Sequence, residues 1–393
     1  MNRRALFASA CAGMFVFGIV LAILGALFGL PEMRSRLDVD LAQQGDIFLT
    51  LFLGIFLSTI VVGPMIDSFG NKVVLTASAV FVAVALAIFA YAHSFYAALV
   101  AAALLGFGGG GLNTSANALI ADIYPDNRGP MLNMLGIFFG FGALFIPFLM
   151  ASIAGRLSIP QLLLIAAALA AVCAIAYLVM PFPRPHETVG FSLLASIKAV
   201  RIPGVLLFGV LLFFQSGNEA SIGGWTSTYI VSLGIRPQMA TWILAFYWAA
   251  LMLGRFISAK LLERMTKERL VLASGAGSAI GCAVLMASHS IYVIALGAVI
   301  IGLSFAAVYP TTLAIAADRY ERLAGTIFGL LFAMGLIGGM IFPWIVGQVA
   351  QMRSVRAGMI VPLAGAIAIF VVAGVVPASG RPSEGRRDGG TTR

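Results

Sequence analysis

Glu219 lies in QSGNEASIGGW, residues 215–225, between the apolar runs VLLFGVLLFF and TSTYIVSLG. The apolar stretch 203–232 has its middle near residue 218, which puts the carboxylate at mid-span. A charge there costs about 2.5–3.5 kcal/mol on insertion scales, so an acid at that depth points to function. It could bind and release a proton near neutral pH, accept a hydrogen bond from a solute hydroxyl, or hold a sodium ion with neighbouring oxygens. Helical spacing puts Gln215, Glu219, Thr226 and Tyr229 on one face, with Asn218, Ile222 and Trp225 beside them. Amides and a carboxylate offer paired donors and acceptors to hydroxyl groups, and an indole face packs on ring C–H bonds. Gly217, Gly223 and Gly224 are expected to loosen the helix at this point, as broken helices do where they line a binding site.

Asn113 and Asn117 are a second candidate pair, one helical turn apart and aligned with Gly106 and Gly110. They point either into a cavity or at a neighbouring helix. Arg255, in LGRFISAK, is open to three readings: an anion site, a gate salt bridge, or snorkelling to headgroups. Tyr247 and Trp248 are weaker candidates, because core or lipid-facing aromatics are commoner. His93 and His289 each precede a serine at a span start and read as helix-entry residues. Cys11, Cys173 and Cys282 fall inside spans and suggest neither a disulfide nor a metal site. There is no phosphate-binding loop, His/Cys metal cluster or nucleophile triad, so no enzyme and no cofactor are expected. Any energy source must be a proton or sodium gradient.

The elements that hold these residues follow from composition. Of the 393 residues, 61% are hydrophobic and 10% charged, against about 25% charged in soluble domains. The apolar residues form long unbroken runs, which excludes a β-barrel of short alternating strands. Crossing about 30 Å of hydrocarbon takes roughly 20 helical residues. Twelve segments qualify, at 5–29, 44–66, 72–92, 95–121, 129–154, 160–180, 203–232, 239–261, 269–287, 291–317, 324–349 and 356–376. With both termini in the cytoplasm, only Arg34, Arg36, Arg156, Arg236, Arg353 and Arg356 of the 24 Lys and Arg residues lie outside. The net charge of +9 therefore reports topology and contact with anionic lipid headgroups, and no nucleic-acid partner is expected. The expected setting is a bacterial inner membrane.

HSFYAALVAAALLGFG at 93–108 matches HSIYVIALGAVIIGLS at 289–304 at an offset of 196. The same offset pairs Asp122 with Asp318, Gly142 with Gly338, and Pro147 with Pro343. It also places Tyr309 opposite Asn113, with Thr312 close by as a further span-ten candidate. A six-helix unit duplicated in parallel predicts a site near the midplane between halves that rock about it. The fold class is an all-α membrane protein of twelve transmembrane helices in two pseudo-symmetric six-helix bundles. We expect bundles at 1–180 and 203–376, a cytoplasmic connection at 181–202 carrying a short amphipathic helix, and a disordered cytoplasmic tail at 377–393. A monomer suffices for this architecture.

GPMIDSFGNK at 63–72 resembles the signature loop of the major facilitator superfamily, with Asn71 where a basic residue is usual. Gly63 is expected to let two helices approach closely, and Asp67 to latch the seam between halves. The offset finds a worn copy, Ala259 for Gly63 and Glu263 for Asp67. Gating charges are expected at Asp67, Lys72, Arg128, Arg255, Glu263 and Asp318. The stretch 105–147, which includes Asn113, Asn117 and Asn127-Arg128-Gly129, resembles the fucose–glucose permease branch, the sugar:cation symporters. NEASIGGWTSTYIV at 218–231 and PTTLAIAADRYERLAGTIFGLL at 310–331 are similar to the same branch. That resemblance implies carriage of a small polyhydroxylated solute, a monosaccharide, by alternating access. The branch's proton-coupled members place acids in spans one and four. Span one here has none, and Asn113 stands at the span-four position. Coupling to protons or sodium would then run through Glu219. A proton-coupled exporter of drugs or amphipathic lipids is the alternative, suited to the apolar span one, although span five lacks the Gly-Pro pair of such exporters. A membrane scaffold or sensor that moves no solute is a third.

Overall fold

The computed structural model describes residues 3–125, 127–153, 155–183, 202–320 and 324–376. Among them the chain is helical throughout, with no strand. In chain order the helices are α1 (Arg3–Phe28), α2 (Pro31–Leu37), α3 (Leu41–Tyr91), α4 (Phe95–Ile123), α5 (Arg128–Ser152) and α6 (Ile159–Val179). Then follow α7 (Pro203–Ser232), α8 (Pro237–Leu261), α9 (Lys267–Ala287), α10 (Ile291–Arg319), α11 (Ala324–Met352), α12 (Val355–Gly358) and α13 (Ile360–Val375). The amphipathic helix expected inside 181–202 and the tail from 377 fall outside the described residues.

Eleven helical stretches among the described residues are long and apolar enough to cross a membrane, with α12 and α13 running on as one. One of them, α3, has 51 residues. Straight, it would measure about 75 Å, more than twice the hydrocarbon thickness. It is two spans joined at Gly70, where φ is 80° and ψ 163°. That conformation is open essentially to glycine alone. Both arms return to the same helix: a Cβ on Gly111 of α4 would meet Ser78 from one arm and Ser58 from the other. Twelve spans result, within a few residues of the expected bounds.

Three expectations change. A Cβ on Gly63 would meet nothing within 4 Å, so Gly63 serves no close helix approach. Gly70 is the glycine that the 63–72 stretch requires. Helix α7 runs unbroken past Gly217, Gly223 and Gly224. Those glycines instead admit neighbours: Phe342 at Gly217, Trp248 at Gly223 and Phe48 at Gly224. The short helix α2 was not expected. It buries Met33 and Leu37, and its Arg36 donates to the carbonyls of Phe89 and Ala90, at 2.7 and 3.3 Å. A cation there satisfies the open carbonyls at the end of α3.

Polar residues set the other helix ends. Asp40 and Gln43 form a capping box at the start of α3, Ser158 and Gln161 one at α6, and Ser94 and Thr266 cap α4 and α9. Packing repeats with the sequence. Gly106 presses on the Leu51 carbonyl, and Gly302, its copy at the 196 offset, presses on that of Tyr247. Gly142 lies on the Phe15 carbonyl and Gly338 on that of Phe213. Between the halves, α1 packs on α7, α3 on α11, and α5 on α8.

Candidate functional site

Glu219 sits sixteen residues past the start of the 30-residue helix α7 and is partly exposed. A carboxylate retained at that depth needs compensating partners. Gln215, one turn earlier, donates through Nε2 to Glu219 Oε2 at 3.4 Å and to the Phe305 carbonyl of α10 at 3.3 Å. Arg255 and Tyr247 of α8 and Tyr309 of α10 are close enough to interact electrostatically with Glu219. Glu219 is therefore framed by polar groups of α7, α8 and α10.

The heights of these groups follow from helix geometry. Gly223, one turn beyond Glu219, meets the Trp248 ring. Helices α7 and α8 run in opposite directions, so Arg255, seven residues beyond Trp248, lies about 10 Å back along the same seam. Glu219 falls between the two. Arg255 Nη1 donates to the Gly136 carbonyl of α5 at 3.0 Å, and its guanidinium lies 5.8 Å from the Phe139 ring centre. Phe139 also meets Trp248 edge to face at 6.4 Å. Arg255 thus neither snorkels outward nor sits on a carboxylate: among the described residues no acid lies within 4 Å of it. It crosses the α5–α8 seam beside Glu219.

The other candidates are spread more widely. Asn218 is buried and turned towards Gly365 of α13, with no partner for its amide. Trp225 is buried, donates to the Pro343 carbonyl at 3.0 Å and packs on Phe48 at 5.9 Å. It belongs to the seam between α3, α7 and α11. Tyr229 and Thr312 are buried with unpartnered hydroxyls. Tyr309 packs on Phe332 at 5.8 Å. Asn117 donates to the Asn113 carbonyl and side-chain oxygen at 2.8 and 3.0 Å, a bond within one helix rather than between two. Gln215, Glu219, Arg255 and Tyr309 are thus brought together. Asn218 and Trp225 point elsewhere, and Tyr229 lies about 15 Å further along α7.

Among the gating candidates, Asp318 pairs with Lys267 inside the second half, and Glu263 is exposed. Arg128 is exposed and reaches the Ala121 carbonyl at 3.5 Å. Lys72 and Asp67 are partly exposed near the Gly70 turn. The residue that sequence reasoning passed over is Phe139, and it gave Trp248 too little weight. Gly136 and Gly140 form a GxxxG, whose spacing reads as close helix packing. Their packing partners, Arg255 and Met252, are on α8.

Hydrogen bonds across the two halves concentrate at the end of the bundle opposite the start of α1. There Leu41 N meets Gln351, Gln44 meets Thr228, Thr228 meets the Phe28 carbonyl, Trp344 meets Asp46, and Gln238 meets the Ala151 carbonyl. Gly25 lies against Gly223 and Gly45 against Gly347. Further along the seam, the Arg255–Gly136 bond joins the halves. Two apolar recesses of about 630 and 390 Å³ open on α3–α4 and α1–α5. Neither includes a polar group of the Glu219 cluster.

The family model described as Major Facilitator Superfamily matches residues 10–343 and 209–392. The glucose/mannose transporter GlcP of Bacillus subtilis (strain 168) is 23% identical over 365 residues, covering 86% of each chain. Major facilitator superfamily domain-containing protein 4A of Danio rerio is 29% identical over 153 residues, 38% of this chain and only 28% of that protein's length. Among solved structures, a D-xylose-proton symporter superposes with a TM-score of 0.81 at 13% identity, covering 95% of this chain and 97% of that one. That last likeness is one of fold.

Proposed function

The chain belongs to the major facilitator superfamily, and on that premise we propose that it carries a monosaccharide or similar polyhydroxylated solute across the membrane by alternating access. One observation carries the reading: a mid-span carboxylate, Glu219, partly exposed and framed by Gln215, Arg255, Tyr247 and Tyr309. An amide, a guanidinium, phenols and a carboxylate in one cluster match the mixed donors and acceptors of a sugar. The sugar-named relative that aligns over most of both chains supports the solute class. Seam contacts gathered at one end support a site reached from the other end in this conformation. In the orientation set by the basic residues, the open end faces the cytoplasm of a bacterial inner membrane. The two bundles are 1–180 and 203–376, and a monomer holds the complete site.

Glu219 serves both the solute and the co-transported cation, proton or sodium. The test is uptake into proteoliposomes with and without proton and sodium gradients, for the wild type and Glu219→Gln. Glutamine keeps one oxygen acceptor, so exchange of labelled hexose persists with KM raised about tenfold. Gradient-driven accumulation disappears. Accumulation equal to that of the wild type in Glu219→Gln would remove Glu219 from coupling.

A further inference from the structure

Three buried hydrogen-bond donors without protein acceptors cluster on α8. Trp248 Nε1, Arg255 Nε and the Tyr247 hydroxyl are all enclosed, and none has an acceptor among the described residues. Enclosed donors are rarely left unpaired unless something outside the chain completes them. Trp248 and Arg255 are seven residues apart, so they share one face of the helix. Phe139 of α5 touches both, at 6.4 and 5.8 Å. Glu219 falls between them in height, because Gly223, one turn away on its own face of α7, abuts the Trp248 ring. Another Arg255 nitrogen, Nη1, already donates to the Gly136 carbonyl. The guanidinium is thereby held in place with Nε to spare.

By helix rise, the level of the Glu219 carboxylate therefore falls between that of the Trp248 indole and that of the Arg255 guanidinium on the facing helix. Two hydroxyls on neighbouring ring carbons satisfy all three. Each gives its proton to a carboxylate oxygen and accepts from one N–H.

We propose that Trp248 and Arg255 are specificity-determining residues that, with Glu219, grip one pair of adjacent hydroxyl groups on the solute. This rests on the reading that a polyhydroxylated solute passes Glu219. The test is counterflow in proteoliposomes of a carried hexose and its monodeoxy derivatives, one position at a time, for the wild type, Trp248→Phe and Arg255→Lys. In the wild type, removing either of two adjacent hydroxyls lowers kcat/KM about ten- to a hundredfold, because buried donors are left unmet. Other positions change little. Trp248→Phe flattens the penalty at one of the two positions and Arg255→Lys at the other, since lysine keeps the charge but lacks the fork. Variants that lower flux of parent and deoxy sugars by the same factor would make both residues structural and overturn the proposal. If neither variant reaches the membrane folded, the wild-type series decides, because penalties at non-adjacent positions, or spread evenly, also overturn it. No hexose flux at all in the wild type would instead sink the solute class itself.

Discussion

At the residue scale, Glu219 could be read from sequence because a carboxylate inside an apolar run has few harmless explanations. Gln215 came with it by helical spacing, and the two are hydrogen-bonded. Trp225 and Asn218 shared the neighbourhood on paper, yet one closes the seam on Pro343 and the other faces Gly365. A helical wheel fixes the direction in which a side chain leaves its own helix; it does not say which neighbour waits there. Phe139 and Trp248 were hidden for the opposite reason. Aromatic residues are common in spans, and only the placement of Gly223 and Arg255 against them makes these two distinctive. Arg36 gives a test at this scale, since its guanidinium closes the end of α3. Arg36→Met should lower stability by about 1 kcal/mol, seen as a fall of a few degrees in Tm in detergent, with hexose KM unchanged. An unchanged Tm would show that solvent satisfies those carbonyls equally well.

At the element scale, span positions were legible because hydrocarbon thickness sets helix length. The break between the two arms of α3 was located correctly, but the close helix approach expected at Gly63 is absent. The backbone separates the two glycines of the stretch: Gly70 has φ 80°, while Gly63 is helical with open space beside it. Gly70→Ala should therefore cost about 1–3 kcal/mol in backbone strain and reduce the yield of folded protein. Gly63→Ala should be tolerated, with yield and Tm like the wild type. Equal loss in both variants would contradict this assignment. The unbroken course of α7 has a similar lesson. Glycines in a transport helix suggest a break, but here each one receives a ring from a neighbour. Composition alone does not distinguish a flexible glycine from one that makes room for a side chain.

At the scale of the whole molecule, the 196-residue offset was visible in the sequence, and it reappears in space as matched helix crossings at Gly106 and Gly302. The conformation was not visible, because either alternating-access state satisfies the same hydrophobic pattern. The seam is joined at one end by five hydrogen bonds and by close glycine contacts, and this is the part of the account that implies movement. Trp344 of α11 and Asp46 of α3 face each other across this end, with Nε1 and Oδ1 3.0 Å apart, so cysteines at these positions fall within the span of a short bifunctional thiol reagent. The most direct measurement is labelled-hexose counterflow in proteoliposomes for Asp46→Cys with Trp344→Cys, before and after a short bis-methanethiosulfonate cross-linker. The account predicts flux in the reduced protein, its loss on cross-linking as the end stays shut, and its return with reductant. Hexose flux that continues through the cross-link would contradict alternating access at this seam. Absence of hexose flux in the reduced and wild-type proteins, under conditions where a lipophilic cation is moved, would contradict the solute.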